Sequence, residues 1–164
     1  YDETLYRLFD ADKQKAVAIL NIDRENTKPR KDIAKWSEVL DYVSYFYNET
    51  YKENYTLPEN IAPEDAAAIA SEYKKIFDVT DDKQVWFDKI KAMCEPLGFT
   101  PNVKEYKKNP DSYKGHVGDV STVIRIALTG RTNTPDLHSI IAVLGADEVA
   151  ARLEKAEKKF KEEK

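Results

Sequence analysis

Apolar positions along this 164-residue chain recur at three- and four-residue steps almost from end to end, the spacing that stacks side chains on one face of an α-helix. Leu5, Leu8 and Phe9 open the pattern, and Ala16, Val17, Ile19 and Leu20 continue it. Ile33, Trp36, Leu40, Val43 and Tyr47 predict one face of a second helix. Pro63 is expected to open a third, because a first-turn proline gives up an N–H that has no partner there. Its stripe is Ala66, Ile69, Ala70, Tyr73, Ile76 and Phe77. A fourth helix from about Asp81 turns Trp86, Ile90, Met93 and Leu97 inward and stops at Gly98. The 99–118 stretch, with Pro101, Pro110, Gly115 and several lysines, predicts a short helix over 103–107 and then a loop.

A fifth helix, about 119–128, buries Val120, Ile124, Ala127 and Leu128 and ends at Gly130. Thr134 is the expected cap of a sixth, with Pro135 at its first position and Leu137, Ile140, Ile141 and Leu144 as its buried stripe. After Gly145 the last helix carries Val149, Ala150, Leu153, Ala156 and Phe160. Its outer face offers Glu154–Lys158 and Glu157–Lys161 pairs at i, i+4, worth roughly 0.2–0.5 kcal/mol each. No strand alternation lasts beyond a few residues, and no 30- to 45-residue period marks a helical solenoid. The expected class is all-α, with two packed helical subdomains at 1–60 and 61–164 divided at the proline-bearing 57–63 stretch.

Composition narrows the function classes. With 41% hydrophobic and 34% charged residues, the chain can bury a core. Five glycines leave little room for a Gly-rich phosphate loop. No apolar run approaches the roughly 20 residues of a membrane helix, and no signal-peptide pattern is present, so no membrane partner is expected. The single cysteine, Cys94, has no intrachain partner, which favours a reducing, cytoplasmic setting. A chain that starts at Tyr1 rather than Met is expected to be a piece of a longer one. The formal net charge of -4 means that any nucleic-acid contact must come from local basic patches.

A search for catalytic groups is nearly empty. His116 and His138 have no metal-ligand spacing with each other or with Cys94, and no metal site is expected. His138, beside the stripe of the sixth helix, reads as a partly exposed structural residue, His116 as a solvent-facing loop residue, and Cys94 as buried filler. Asp81 and Asp82 suit the favourable field at a helix N-terminus better than acid–base work. Two basic clusters remain. Lys28-Pro29-Arg30-Lys31, followed by Lys35, stands at the start of the second helix, where cations are slightly misplaced for stability and fit phosphate or base contacts. A solvated corner of ordinary lysines is the competing explanation. The second runs from Val123 to Arg131 and on to Leu137. Arg125 there sits among apolar residues and must find a partner or reach out along its stem. The 130–134 loop and a helix N-terminus beside it could hold an anion or a splayed base, or could be a plain helix–turn–helix connection.

Arg125-Ile126-Ala127-Leu128-Thr129-Gly130, then Thr134-Pro135-Asp136-Leu137 and Ile141-Ala142-Val143-Leu144-Gly145, resemble the arginine–apolar–Ala-Leu-Thr-Gly segment near the end of bacterial glutamyl-tRNA synthetases. Arg152-Leu153 and its surroundings look like that family's last helix, and Lys28-Pro29-Arg30-Lys31-Asp32 is similar to its basic-Pro-Arg segment. The resemblance covers about Leu5 to Phe160 in the family's order. Val123 stands where the family often has proline, and the 99–118 stretch is longer than usual.

The resemblance implies the all-α anticodon-binding helical cage of a class I synthetase, which attaches glutamate to its tRNA with ATP and Mg in a separate catalytic domain. Neither class I signature occurs here: there is no His-x-Gly-His and no Lys-x-Ser-Lys. The implied partners are the anticodon stem-loop of glutamate tRNA and the catalytic domain of the same chain, with no cofactor and no catalytic residue in this region. Carried over, Arg30 would bond an anticodon base and help separate glutamate tRNA from glutamine tRNA. Arg125 would bond a neighbouring base, and Thr134, Pro135 and Leu137 would wall a third. Lys28, Lys31, Lys35 and Arg131 are candidate phosphate contacts. A helical protein-interaction or scaffold domain is the alternative from another class.

Overall fold

A computed structural model describes residues 2–29 and 31–163. Among them the regular structure is helical apart from one isolated bridge between Thr100 and His116. Helices α1 (Glu3–Ala11) and α2 (Lys13–Asn21) each begin on an aspartate: Asp2 accepts from the Leu5 N–H at 3.0 Å and Asp12 from the Lys15 N–H at 2.9 Å. Such caps satisfy donors that the first helical turn leaves without partners. The chain then turns through Asp23, whose φ is 62°, a left-handed conformation that aspartate tolerates better than most side chains.

The expected single helix bearing Ile33, Trp36, Leu40, Val43 and Tyr47 is not formed. The segment is a relay of short pieces instead: a 3-10 turn Trp36–Glu38, helix α3 (Val39–Val43) and a second 3-10 turn Ser44–Phe46. Tyr45, Phe46 and Tyr47 are consecutive and all buried, which one face of a 3.6-residue helix cannot achieve but a tight turn inside the core can. Trp36 is consequently 83% exposed rather than inward. The relay starts where the Glu38 carboxylate accepts from the Ala34 and Lys35 N–H groups at 2.8 and 3.1 Å.

After an irregular stretch come α4 (Pro63–Ile76), with its proline in the first turn, and α5 (Lys83–Cys94), capped by Asp82 on the N–H groups of Gln84 and Val85. Helix α6 (Val103–Lys108) matches the short helix expected in the loose stretch. Helix α7 (Val117–Thr129) starts on His116, which is a cap rather than a solvent-facing residue. Its Nδ1 accepts from Gly118 N at 2.9 Å while its own N–H donates to Asp119 at 2.8 Å. Helices α8 (Leu137–Leu144) and α9 (Ala146–Glu162) follow. The i, i+4 pairs Glu154–Lys158 and Glu157–Lys161 form, at 3.0 and 2.6 Å.

Burial separates the apolar side chains into two clusters. The larger gathers α4, α5, α7 and α9 around Ile69, Tyr73, Ile90, Ile124, Leu128, Leu153 and Phe160. Leu5, Leu8, Ile19, Val39, Val43, Tyr45, Phe46 and Tyr47 form the smaller, joined by Ile140 of α8. Arg152 of α9, 4% exposed, ties them together. Its Nη1 donates to the carbonyl of Leu128 at 2.6 Å and to that of Tyr45 at 2.7 Å, its Nε to Glu148 at 2.7 Å and its Nη2 to Asn48 at 3.1 Å. A buried guanidinium is tolerated when its donors are met in this way.

Candidate nucleic-acid interface

The corner after α7 is built by its glycine. Gly130 has φ 69°, and a Cβ there would lie 3.1 Å from the Lys52 carbonyl oxygen and 3.2 Å from Asn54 N, so only glycine lets the α7 end approach the 52–54 backbone. One residue earlier, the Thr129 hydroxyl donates to the Arg125 carbonyl at 2.7 Å and accepts from Arg131 N at 3.2 Å. The loop beyond is held from inside by Arg125. Its Nη1 donates to the Pro135 carbonyl at 2.9 Å and to the Thr134 hydroxyl, which itself donates to the Pro135 carbonyl at 2.9 Å.

These bonds correct the expected cap of α8. Thr134 is buried with its hydroxyl committed to Arg125 and Pro135, and the cap is Asp136, whose carboxylate accepts from Ser139 N at 2.9 Å and Ser139 Oγ at 2.8 Å. The Asp136 N–H in turn donates to Asp23 at 2.9 Å, and Lys83 bonds its carboxylate at 2.7 Å. Burial pushes the Asp136 carboxyl upward, but the bonds from Lys83 and Ser139 outweigh it and hold the group below the ordinary range.

Arg131 points the other way, onto the relay. Its Nη2 donates to the Asp41 carbonyl at 2.7 Å and to Ser44 Oγ at 3.2 Å, meets the Asp41 carboxylate at 3.2 Å, and its guanidinium lies 5.3 Å from the Tyr45 ring centre. Between loop and relay is a cleft of about 280 Å³, with Arg131, Asn133, Thr134 and Pro135 on one side and Asp32, Glu38, Asp41, Tyr42 and Tyr45 on the other. Asp32 and Tyr42 also line a neighbouring cleft of about 430 Å³, along with Asp23, Arg24, Pro29, Lys31 and Ile33. The basic segment and the Ala-Leu-Thr-Gly corner, some hundred residues apart in sequence, therefore border adjoining clefts.

The expected site residues fall into distinct places. Arg30 lies outside the described residues. Lys28, Lys31 and Lys35 are exposed, Lys31 on the second cleft. Arg125 is half-buried and holds the loop, and Leu137 is 2% exposed within the larger core. Sequence reasoning missed Tyr42, Tyr45, Asp41 and Asp23. For Tyr42, Tyr45 and the adjacent Asp41 the signal is the aromatic run from Tyr42 to Tyr47, too dense for one helical stripe, and for Asp23 there is none. Together the lining supplies aromatic faces for stacking and carboxylate, amide and guanidinium groups for hydrogen bonding, the set that binds the face and edges of an unstacked nucleobase.

The other candidate groups are inert. Cys94 is buried, its Sγ against the Ile90 carbonyl, and burial pushes its thiol up to about 11. His138 bonds the Asp81 carbonyl at 2.7 Å beside the Trp86 ring, a half-buried structural role. Among the described residues no group of three His, Cys, Asp or Glu could hold a metal ion, and no helix is long and apolar enough to cross a membrane.

A model of the family described as "Anticodon binding domain" matches residues 105–157, which span α7, the 130–136 corner, α8 and most of α9. The glutamate–tRNA ligase of Acetivibrio thermocellus is 38% identical over 155 residues, 94% of this chain and 28% of the relative. Its counterpart in Clostridium beijerinckii is 41% identical over 160 residues, covering 94% and 29%. That of Sorangium cellulosum is 37% identical over 155 residues, covering 93% and 27%. The chain is homologous to glutamate–tRNA ligases. It corresponds to the C-terminal part of those ligases and spans a little over a quarter of their length. Within this ligase region, the matched family model contains Arg125, Arg131, Thr134, Pro135 and Leu137, while the relay and the basic segment lie before it.

Proposed function

We propose that this chain is the anticodon-reading part of a cytoplasmic enzyme that attaches glutamate to its tRNA, with the ATP- and Mg-dependent chemistry carried by the part of the ligase that this chain does not match. Residues 1–60 and 61–164 would act as its two subdomains. The single observation that carries the reading is the pair of adjoining clefts sharing Asp32 and Tyr42, one bordered by Lys31 and the other by the 131–135 loop, which supports a single RNA loop meeting both. Sequence-specific RNA recognition works mostly on unstacked loop bases, stacked on side-chain faces and bonded along their edges. In this reading Arg30 and Arg125 bond anticodon bases, as a planar guanidinium can serve two acceptors at once. Arg125 also fixes Thr134 and Pro135 as a wall, with Leu137 beneath them in the core. Lys28, Lys31, Lys35 and Arg131 meet phosphates.

Titration of the chain with glutamate tRNA and with an anticodon-substituted version tests this. The expected result is tighter binding of the unaltered tRNA, a preference that Arg125→Ala reduces by ~5- to 150-fold, the range of one base-reading pair. Equal affinity for the two tRNAs, or binding of neither, overturns the reading.

A further inference from the structure

The chain's lysines are divided by what they touch. Eleven of them have a carboxylate within ion-pair distance: Lys13, Lys74, Lys75, Lys83, Lys89, Lys91, Lys114, Lys155, Lys158, Lys159 and Lys161. Of the eight described lysines with no such partner, Lys15, over the Tyr47 ring, and Lys52 stand singly, and the other six form two groups. Three are Lys28, Lys31 and Lys35, on the basic segment. Three more, Lys104, Lys107 and Lys108, stand on α6, a place to which neither the sequence pattern nor the clefts assign a role.

Helix α6 is built to hold that row outward. Asn102 caps it, accepting from the Lys104 and Glu105 N–H groups at 3.0 and 3.2 Å. Its base is pinned where Thr100 N donates to the Gly115 carbonyl at 3.1 Å and Val117 N to the Thr100 carbonyl at 2.9 Å. Tyr106 packs edge-on against the His116 ring, centres 5.2 Å apart, and so fixes which side of the helix faces the body. Lys107 and Lys108 follow Lys104 at i+3 and i+4, which sets all three ammonium groups on one face, and all three residues are exposed. The carboxylate of Glu105 is turned to Asn109, 2.8 Å away, and leaves the row uncompensated. Three like charges at this spacing repel one another, a small destabilisation that a polyanion with regularly spaced charges would relieve. His116, against which Tyr106 packs, caps α7, and the Arg125 corner lies toward the other end of that 13-residue helix, roughly 20 Å away at 1.5 Å per residue.

We propose that Lys104, Lys107 and Lys108 form a second phosphate-binding row that takes the sugar–phosphate backbone of the tRNA at a distance from the bases being read. This rests on the anticodon-reading function and extends it: the clefts choose the sequence, and α6 supplies affinity without choosing. Backbone phosphate contacts carry no sequence information themselves. The row lowers the overall dissociation constant and steepens the salt dependence, and it leaves the preference for the correct anticodon unchanged.

The test compares the chain with its K104Q/K107Q/K108Q variant, in which glutamine keeps length and helix propensity and the sites are solvent-exposed, so the fold is preserved; circular dichroism and melting check this. Affinity for glutamate tRNA and for the anticodon-substituted tRNA is measured between 50 and 200 mM salt. The expected result is a salt slope shallower by about 2, at ~0.7 per single-strand phosphate. Wild-type affinity then falls ~20-fold more than that of the variant across the range, with the ratio between the two tRNAs unaltered. An unchanged affinity and slope, with the wild type still discriminating, overturns the α6 row alone. A variant that loses the discrimination ratio overturns its assignment as a backbone contact. Failure of the wild type to bind either tRNA overturns the anticodon reading and the row with it.

Discussion

Replacing Arg152 with methionine should show how much of this fold depends on one buried guanidinium. Methionine keeps most of the stem's length and packing, so the change removes the bonds rather than opening a large void. The Leu128 and Tyr45 carbonyls, at 2.6 and 2.7 Å, each lose a buried donor, and a buried acceptor left without a partner costs about 1–3 kcal/mol. The Tyr51 ring loses a cation 4.0 Å from its centre, worth on the order of 1–2 kcal/mol when desolvated. Glu148 loses its partner as well, but its side chain is 28% exposed and water restores part of that bond. Because one side chain makes all these contacts, the losses do not add. A total of about 3–5 kcal/mol, the usual effect of removing one partner of a buried pair, is expected.

For a chain of this size each kcal/mol moves the melting temperature by about 2–4 °C, so Tm should fall by about 10 °C. Thermal and urea unfolding at neutral pH measure it directly. A fall of less than about 3 °C, roughly 1 kcal/mol, would mean that the two carbonyls find other donors. Arg152 would then not be what joins the cores.

Gly130→Ala places a side chain at φ 69° with its Cβ 3.1 Å from the Lys52 carbonyl. A loss of about 2 kcal/mol is expected from left-handed strain plus the close contact, and a urea midpoint that does not move would contradict it. Asp136→Asn keeps the capping oxygen and removes only the charge. The folded-state pKa of Asp136 lies below the ordinary 3.8, so its stabilisation is in place above that value and is lost as pH falls through the folded pKa. Urea unfolding of both proteins from neutral pH downward should show the wild type's advantage shrinking below about pH 4, where the unfolded-state aspartate takes up its proton. An advantage that persists unchanged at the acid end would rule out the depressed carboxyl.

The stripes of α4, α7 and α9 were legible because each of those helices faces one core along most of its length, so the period survives in the sequence. Gly130 and Arg125 were legible for local reasons: a helix stop, and a cation in apolar company that had to find an acceptor. The relay was not. Val43, Tyr45, Phe46 and Tyr47 are spaced by what the small core needs from three short turns, and their overlap with a helical period at Ile33, Trp36, Leu40 and Val43 is accidental. Thr134 and Asp136 are both good capping residues two positions apart. The choice between them depends on Arg125 and Pro135 having already taken the Thr134 hydroxyl, a tertiary fact. Nothing local marks Arg152 as the tie between the cores, because the carbonyls it serves come from residues 24 and 107 positions away. Asp23, which holds the turn before the basic segment against Asp136 across 113 positions, had no local signal at all.

The same distinction reconciles the chain's formal charge of -4 with the proposed RNA-binding role. Net charge counts Lys74 and Glu157 as two ions, although they stand 3.2 Å apart and their fields nearly cancel beyond that distance. Screening limits any exposed charge to about 10 Å at moderate salt, so a phosphate feels only the groups beside it and not the sum over the molecule. Pairing therefore subtracts most of the lysines and a matching set of carboxylates from the potential that an approaching backbone meets. Among the described lysines without a carboxylate partner, those of the 28–35 segment and of α6 are exposed side by side, and these are the cations that a nearby phosphate meets. Whether a sequence pairs its lysines is decided by contacts such as Lys74 with Glu157 or Lys155 with Glu53, between residues that meet only on folding. For that reason the electrostatic footprint belongs to the fold, and composition alone points away from it.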